Sequence, residues 1–130
     1  MVDSIFTKII KGEIPCHKIY EDELVLAFLD IHPVSEGHLL VVTKEQIENL
    51  WDLDEETYKH TLDIAKKLSI QIRNILNPQK VGMVVWGMDV PHVHVQLIPI
   101  YRGDEIKLNH DLNSEPDHQA LALIAQKLAK

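Results

Sequence analysis

The hydrophobic positions change period along the chain. Ile5, Phe6, Ile9 and Ile10 fall at the offsets of one helical face, with Asp3 placed to cap the helix and Gly12 and Pro15 placed to stop it. Three extended runs follow, 18–21, 24–30 and 38–43, parted by a polar turn at Asp22 and by the segment 33–37. Such short connections imply antiparallel neighbours. Asp54, with Glu55 and Glu56 behind it, opens the longest helical pattern, which runs to Leu76 before Asn77 and Pro78. Tyr58, Leu62, Ala65, Leu68, Ile72 and Ile75 form its apolar stripe. Two further strands are expected over 81–86 and 92–99, with Gly87 and Met88 near a tight connection between them. A last helix is expected over 115–129, with Ser114 and Asp117 spaced as a capping box and Leu121, Ile124 and Leu128 on one side.

Helix, three strands, helix, two strands, helix is not the alternation of a doubly wound parallel sheet. It predicts an α+β fold: an antiparallel sheet of about five strands with the helices packed on it. At 130 residues, one domain spanning 1–130 is expected. Hydrophobic residues at 45% against 25% charged place the chain among globular proteins. No apolar run is long enough to cross a bilayer. The first fifteen residues interleave Asp3, Lys8, Lys11 and Glu13 with apolar ones, unlike a secretion signal, and the lone Cys16 cannot form an internal disulfide. A cytoplasmic location, with no membrane partner, is therefore expected. The formal charge of −7, without a local Lys/Arg run, argues against a nucleic-acid partner. A small phosphorylated ligand is still permitted, because imidazoles, amides and backbone N–H groups hold phosphate without a basic surface.

The chemistry concentrates in the run His92, Val93, His94, Val95, Gln96, Leu97, Ile98. On a strand, alternation projects His92, His94 and Gln96 from one face and packs Val93, Val95 and Leu97 behind. Three readings fit that geometry. The first is an ordinary half-exposed strand that happens to carry histidines. The second is a zinc or copper site, which needs further ligands. The third is covalent catalysis, with one neutral imidazole attacking phosphorus while its neighbours fix its tautomer and hold the phosphate oxygens.

The surrounding sequence favours the third. From IFTKIIKGEIP through YEDELVLAFLDIHPVSEGHLLVVTK to VPHVHVQLIPI, the chain resembles the histidine triad (HIT) family along nearly its whole length. The resemblance implies a nucleotide-binding α+β fold, a homodimer, and action on a small-molecule nucleotide: nucleoside phosphoramidates, acyl-adenylates or dinucleoside polyphosphates. By position it places the nucleophile on His94, which would form a nucleotidyl-histidine intermediate. It places supporting histidines at His92 and His38, and a ribose-binding carboxylate at Asp30. The apolar walls of the base site fall on Phe6, Ile9, Phe28 and Ile31, and His32 lies close to the ribose position.

Three departures from the family pattern shape the expectation. The third motif position, usually histidine, is Gln96, whose amide can donate to a phosphate oxygen but cannot exchange a proton near neutral pH. Gln at this place resembles the transferase branch of the family, while the rest of the chain resembles the small hydrolases, so transfer and hydrolysis both stay open. The stretch WGMDVPH is short and puts Asp89 where many relatives contact phosphate, and a carboxylate there gains no binding role. Finally, the Cys-x-x-Cys pair with which some bacterial relatives hold a structural zinc reads Ser4 and Thr7 here, and a later histidine reads Gln46, so no metal is expected. No cofactor is required, although Mg²⁺ can accompany a polyphosphate substrate. The rival expectations are a nucleotide-binding or scaffold module with little turnover, and a metal-binding protein.

Overall fold

In a computed structural model, which describes residues 2–129, the chain forms a five-stranded sheet flanked by helices. The elements are α1 (Ile5–Ile10), β1 (Lys18–Glu21), β2 (Val25–Leu29), β3 (Leu39–Thr43), a single 3₁₀ turn (Leu50–Asp52), α2 (Glu55–Leu76), β4 (Lys80–Val84), β5 (His94–Ile100) and α3 (His118–Leu128). The sheet order is β1-β2-β3-β5-β4, and every neighbouring pair is antiparallel. The fold is α+β, as the element pattern predicts.

The register sorts side chains onto two faces. Leu26 lies opposite Val42 and Phe28 opposite Leu40; across the next seam Leu40 meets Gln96 and Val42 meets His94. Opposed residues point the same way, so His94 and Gln96 share a face with Leu26, Phe28, Leu40 and Val42. The other parity, Val25, Ala27, Leu39, Val41, Val95 and Leu97, packs against α2 through Ile64, Ala65, Leu68 and Ile72. Asp54 caps α2 by accepting from the Thr57 N–H, and Asn77, at φ 52°, ends it in the left-handed conformation that a C-terminal turn requires. Gly37, at φ +93°, leads into β3 beside that end in a backbone conformation that residues with side chains rarely adopt, and a Cβ there would crowd Leu76 and Pro99.

The structure corrects several expectations. The cap of α1 is Ser4, whose hydroxyl accepts from the Thr7 N–H; Asp3 pairs instead with Lys11 at 2.7 Å. The buried line of α2 runs through Thr57, Thr61, Ile64, Ala65, Leu68 and Ile72, while Ile75 is exposed. Thr61 is tolerated there because its hydroxyl donates to the Thr57 carbonyl at 2.7 Å. The last strand starts at His94 rather than His92, because the chain before it leaves the ladder: the Val93 N–H donates to the Ile47 carbonyl and the His92 N–H to that of Val90. The last helix starts at His118 with Asp117 as its own cap; the Ser114 hydroxyl turns back to the Asp111 carbonyl, so the capping box does not form. Nor does this helix pack on the sheet. Every described residue from 107 onward is exposed, including Leu121, Ile124 and Leu128.

Candidate active site

α1 crosses the front face of the sheet and covers only part of it. Phe6 seals the strand side chains Leu26, Phe28, Leu40 and Val42 into a small apolar layer. Beside that layer a cleft of about 320 Å³ opens, within the usual range for a small-molecule site. Of the predicted site residues, Phe6, Ile9, Phe28, Asp30, Ile31, His94 and Gln96 line it. His32, Cys16 and Asp89 line it too. His92 and His38 do not; they stand behind the wall, each bonded to a neighbour of the cleft.

The hydrogen bonds fix the state of each ring. The Nδ1 of His94 lies 2.7 Å from the His92 carbonyl oxygen. A carbonyl only accepts, so Nδ1 carries the proton, and in the neutral ring Nε2 keeps a bare lone pair. His94 is 4% exposed, and the exposed part opens on the cleft. Phe6 holds the ring edge-on from above, with centroids 4.9 Å apart. Across the mouth, the Asp89 carboxylate reaches to within 3.8 Å of His94 Nε2 while remaining largely in solvent.

The ring of His38 is fixed in the same way. Its Nδ1 accepts from the Val34 N–H at 3.0 Å, so Nε2 carries the proton and donates to the Gln96 side-chain oxygen at 2.9 Å. That orients the amide: its oxygen is taken and its two N–H donors are left over on a side chain that lines the cleft. The second oxygen of Asp30 lies 3.6 Å from His38 Nε2, and the first accepts from the His32 N–H at 2.8 Å. The carboxylate is thus held by its own turn at the rim.

His92 is fully buried, and burial pushes its pKa below the ordinary value, an effect the His94 ring reinforces and the Thr43 carbonyl opposes. Its Nε2 donates to that carbonyl at 2.7 Å, so Nδ1 is the acceptor, 2.6 Å from the Ser4 hydroxyl. Thr7 and Gln46 complete the cluster. Two hydroxyls, an amide and one imidazole lack the thiolates or further imidazoles of a structural zinc site, and they are already bonded to one another. Among the described residues no three His, Cys, Asp or Glu side chains converge as a metal site would need.

The cleft thus brings together an imidazole, an amide beside it, apolar walls and a carboxylate at the rim, residue types that the sequence resemblance groups in one site. Residues 11–103 match the HIT domain. The chain belongs to the HIT family. An uncharacterized HIT-like protein of Borreliella burgdorferi is 39% identical over 124 residues, covering 88% of this chain and 89% of that one. The adenosine 5'-monophosphoramidase of Schizosaccharomyces pombe is 42% identical over 99 residues, covering 73% and 72%. The crystal structure of a HIT family protein from Bacillus anthracis matches the fold with a TM-score of 0.83 at 35% identity, covering 96% and 94%. In this HIT-family chain, Ser4, Thr7 and Gln46 are the residues whose part in the site the sequence does not disclose. Their spacing shows only as a metal pair that is missing, whereas the structure joins them to His92.

Proposed function

We propose that the protein is a nucleotidyl hydrolase or transferase that works through a covalent bond to His94. The carrying observation is the tautomer of that ring: Nδ1–H is engaged by the His92 carbonyl, and the lone pair on Nε2 faces the cleft. In this reading the base of a nucleotide lies between Phe6, Ile9, Phe28 and Ile31, and Asp30 accepts from the ribose hydroxyls. Nε2 attacks the α-phosphorus, a P–Nε2 bond forms and the bond to the amine, carboxylate or polyphosphate leaving group breaks. The spare Gln96 N–H donors stabilise the charge that develops on the phosphate oxygens. Water, or a phosphate-bearing acceptor, then attacks phosphorus, the P–Nε2 bond breaks with its electron pair returning to Nε2, and the proton that water gives up to solvent balances the one the amine leaving group takes from it. The substrates are nucleoside phosphoramidates, acyl-adenylates or dinucleoside polyphosphates, and the phosphoramidase activity in the name of the S. pombe relative supports the first of these.

No resident metal takes part in these steps; Mg²⁺ would accompany only a polyphosphate substrate. We also infer a homodimer located in the cytoplasm. The exposed apolar residues of α3, Leu121, Leu123, Ile124 and Leu128, support association, since apolar stripes of this kind are usually covered. Sedimentation at several concentrations tests it.

The decisive experiment uses an adenylyl-lysine phosphoramidate labelled on phosphorus. The expected result is turnover and an acid-labile adenylyl adduct on His94 after rapid quenching, both lost in His94→Ala. Undiminished turnover in that variant, or an adduct on another residue, would defeat the mechanism. One observation favours a second reading, a binding module with little turnover: the Asp89 carboxylate lies 3.8 Å from His94 Nε2, where it opposes an anionic phosphate. Saturable nucleotide binding without any adduct would establish that reading instead.

A further inference from the structure

His92 does not line the cleft, yet it is fully buried behind it. We propose that Ser4 is a positioning residue: its hydroxyl proton, given to His92 Nδ1, locks the His92 ring and so steadies the carbonyl on which the His94 proton rests. The inference rests on the reading of His94 as nucleophile.

The protons can be counted. Thr43 offers only a carbonyl, so His92 Nε2 is the protonated nitrogen and Nδ1 is a buried lone pair that needs a donor. Two hydroxyls stand near it. The Thr7 hydroxyl lies 3.4 Å away and donates to the Gln46 side-chain oxygen at 2.6 Å, so its proton is committed. The Ser4 hydroxyl lies 2.6 Å from Nδ1 and has no acceptor as close. It accepts from the Thr7 N–H at 3.0 Å, which orients it. Gln46 also takes the Ser4 N–H at 2.8 Å and donates its own amide to the Val2 carbonyl at 2.9 Å. The branch that reaches the ring runs from the Thr7 N–H through the Ser4 hydroxyl to His92 Nδ1 and on from Nε2 to the Thr43 carbonyl, while the Thr7 hydroxyl and the Ser4 N–H donate away from the ring to Gln46.

The consequence for His94 is geometric. The ring of His92 is pinned on both nitrogens, and the same residue's carbonyl oxygen receives the His94 Nδ1–H at 2.7 Å. α1 supplies both the pin and the lid, because Ser4 is its cap and Phe6 lies edge-on to His92 and His94, with centroids at 5.7 and 4.9 Å. One short helix therefore sets the base wall and the nucleophile's tautomer together.

The test compares wild type, Ser4→Ala and Ser4→Thr, which keeps a hydroxyl. Long-range proton–nitrogen spectra of the imidazoles, assigned with His92→Gln and His94→Gln, are expected to show His92 as Nε2–H with a hydrogen-bonded Nδ1. In Ser4→Ala the Nδ1 signal moves to its unbonded position and His94 populates both tautomers. With a nucleoside phosphoramidate, kcat falls about tenfold, the worth of one lost hydrogen bond, while KM stays within about twofold. Ser4→Thr restores both readouts. Unchanged His92 and His94 spectra in Ser4→Ala, or a folded Ser4→Ala with wild-type kcat, would overturn the proposal. Wild type without turnover, but with the spectra as expected, would instead overturn the nucleotidyl reading and leave the lock between Ser4 and the two rings standing.

Discussion

The two faces of the sheet use the same strands for opposite ends. On the back, Val25, Ala27, Leu39, Val41, Val95 and Leu97 meet a 22-residue helix, and among the described residues no buried side-chain polar atom lacks a hydrogen-bond partner. On the front, a six-residue helix covers only the apolar layer around Phe6, and the neighbouring residues of β5 are His94 and Gln96. The back face supplies a rigid plane, and the front face spends that rigidity on holding rings and an amide at fixed angles. Parity alone separates the roles: Val95 and Leu97 are fully buried in the core, while His94 and Gln96, one position away, line the cleft.

If that division holds, damage to the back should unfold the protein without altering the chemistry of the molecules that remain folded. Leu97→Ala removes a fully buried side chain from the centre of the sheet and is expected to cost about 2–5 kcal/mol in urea unfolding. Turnover per folded molecule should hold within a few-fold. A large loss of kcat at full folding would show that the faces are mechanically coupled.

The converse change is Gln96→Ala. It removes the donors left facing the cleft while His38, behind it, loses its acceptor. The expected loss is about 10²-fold in kcat, the scale for one donor that stabilises a developing oxyanion. Thermal stability should change much less than in Leu97→Ala. Equal loss in binding and turnover would mean that the amide contacts the ground state rather than the transition state.

Stability against pH sharpens the comparison further, because the front face buries an imidazole. Burial lowers the His92 pKa below the ordinary 6.5, so the unfolded chain takes up a proton before the folded one does. The contribution is complete above pH 6.5 and is lost as pH falls from there through the lowered folded value. Thermal melts from pH 8 to pH 5 should therefore show a decline below about 6.5 that is reduced in His92→Gln. Asp22 does not confuse the result. Burial raises its pKa, but the Tyr20 hydroxyl, His60 and the Leu24 and Val25 N–H groups outweigh this and hold the carboxyl well below 3.8, so its contribution fades only in that more acidic range.

The sheet was legible from sequence because its strands alternate or run apolar between turn residues, and β1 to β3 fall within a residue of the expected limits. The places where the reading slipped have a common physical cause: local pattern does not reveal the partner. His92 continues the alternation of β5, but the carbonyls of Val90 and Ile47 take the backbone out of the ladder and turn the ring inward. Asp3 and Ser4 are both good caps; Lys11 holds the first, leaving the second to α1. Apolar spacing foretold a sided helix at the C-terminal end, yet nothing in that spacing says whether its face meets this chain's own sheet. The cleft shows the same limit. Seven of its lining residues could be placed by resemblance, whereas Ser4, Thr7 and Gln46 join His92 only when residues some forty and ninety positions apart are folded together.

The smallest effect belongs to Asp89, at the open rim of the front face. Its carboxylate is mostly in solvent, where a like charge near 4 Å is worth only on the order of 1 kcal/mol. Asp89→Asn should therefore tighten binding of a nucleoside monophosphate a few-fold at low salt, and the gain should shrink as ionic strength rises, since exposed charges are screened. Titration calorimetry at two salt concentrations reads this directly. Weaker binding in the Asn variant would mean that the carboxylate helps to hold the ligand, as it would through a bridging cation. Repeating the titration with Mg²⁺ present would then separate bridging from repulsion, because only a bridge makes the wild type gain more from the ion than the variant does.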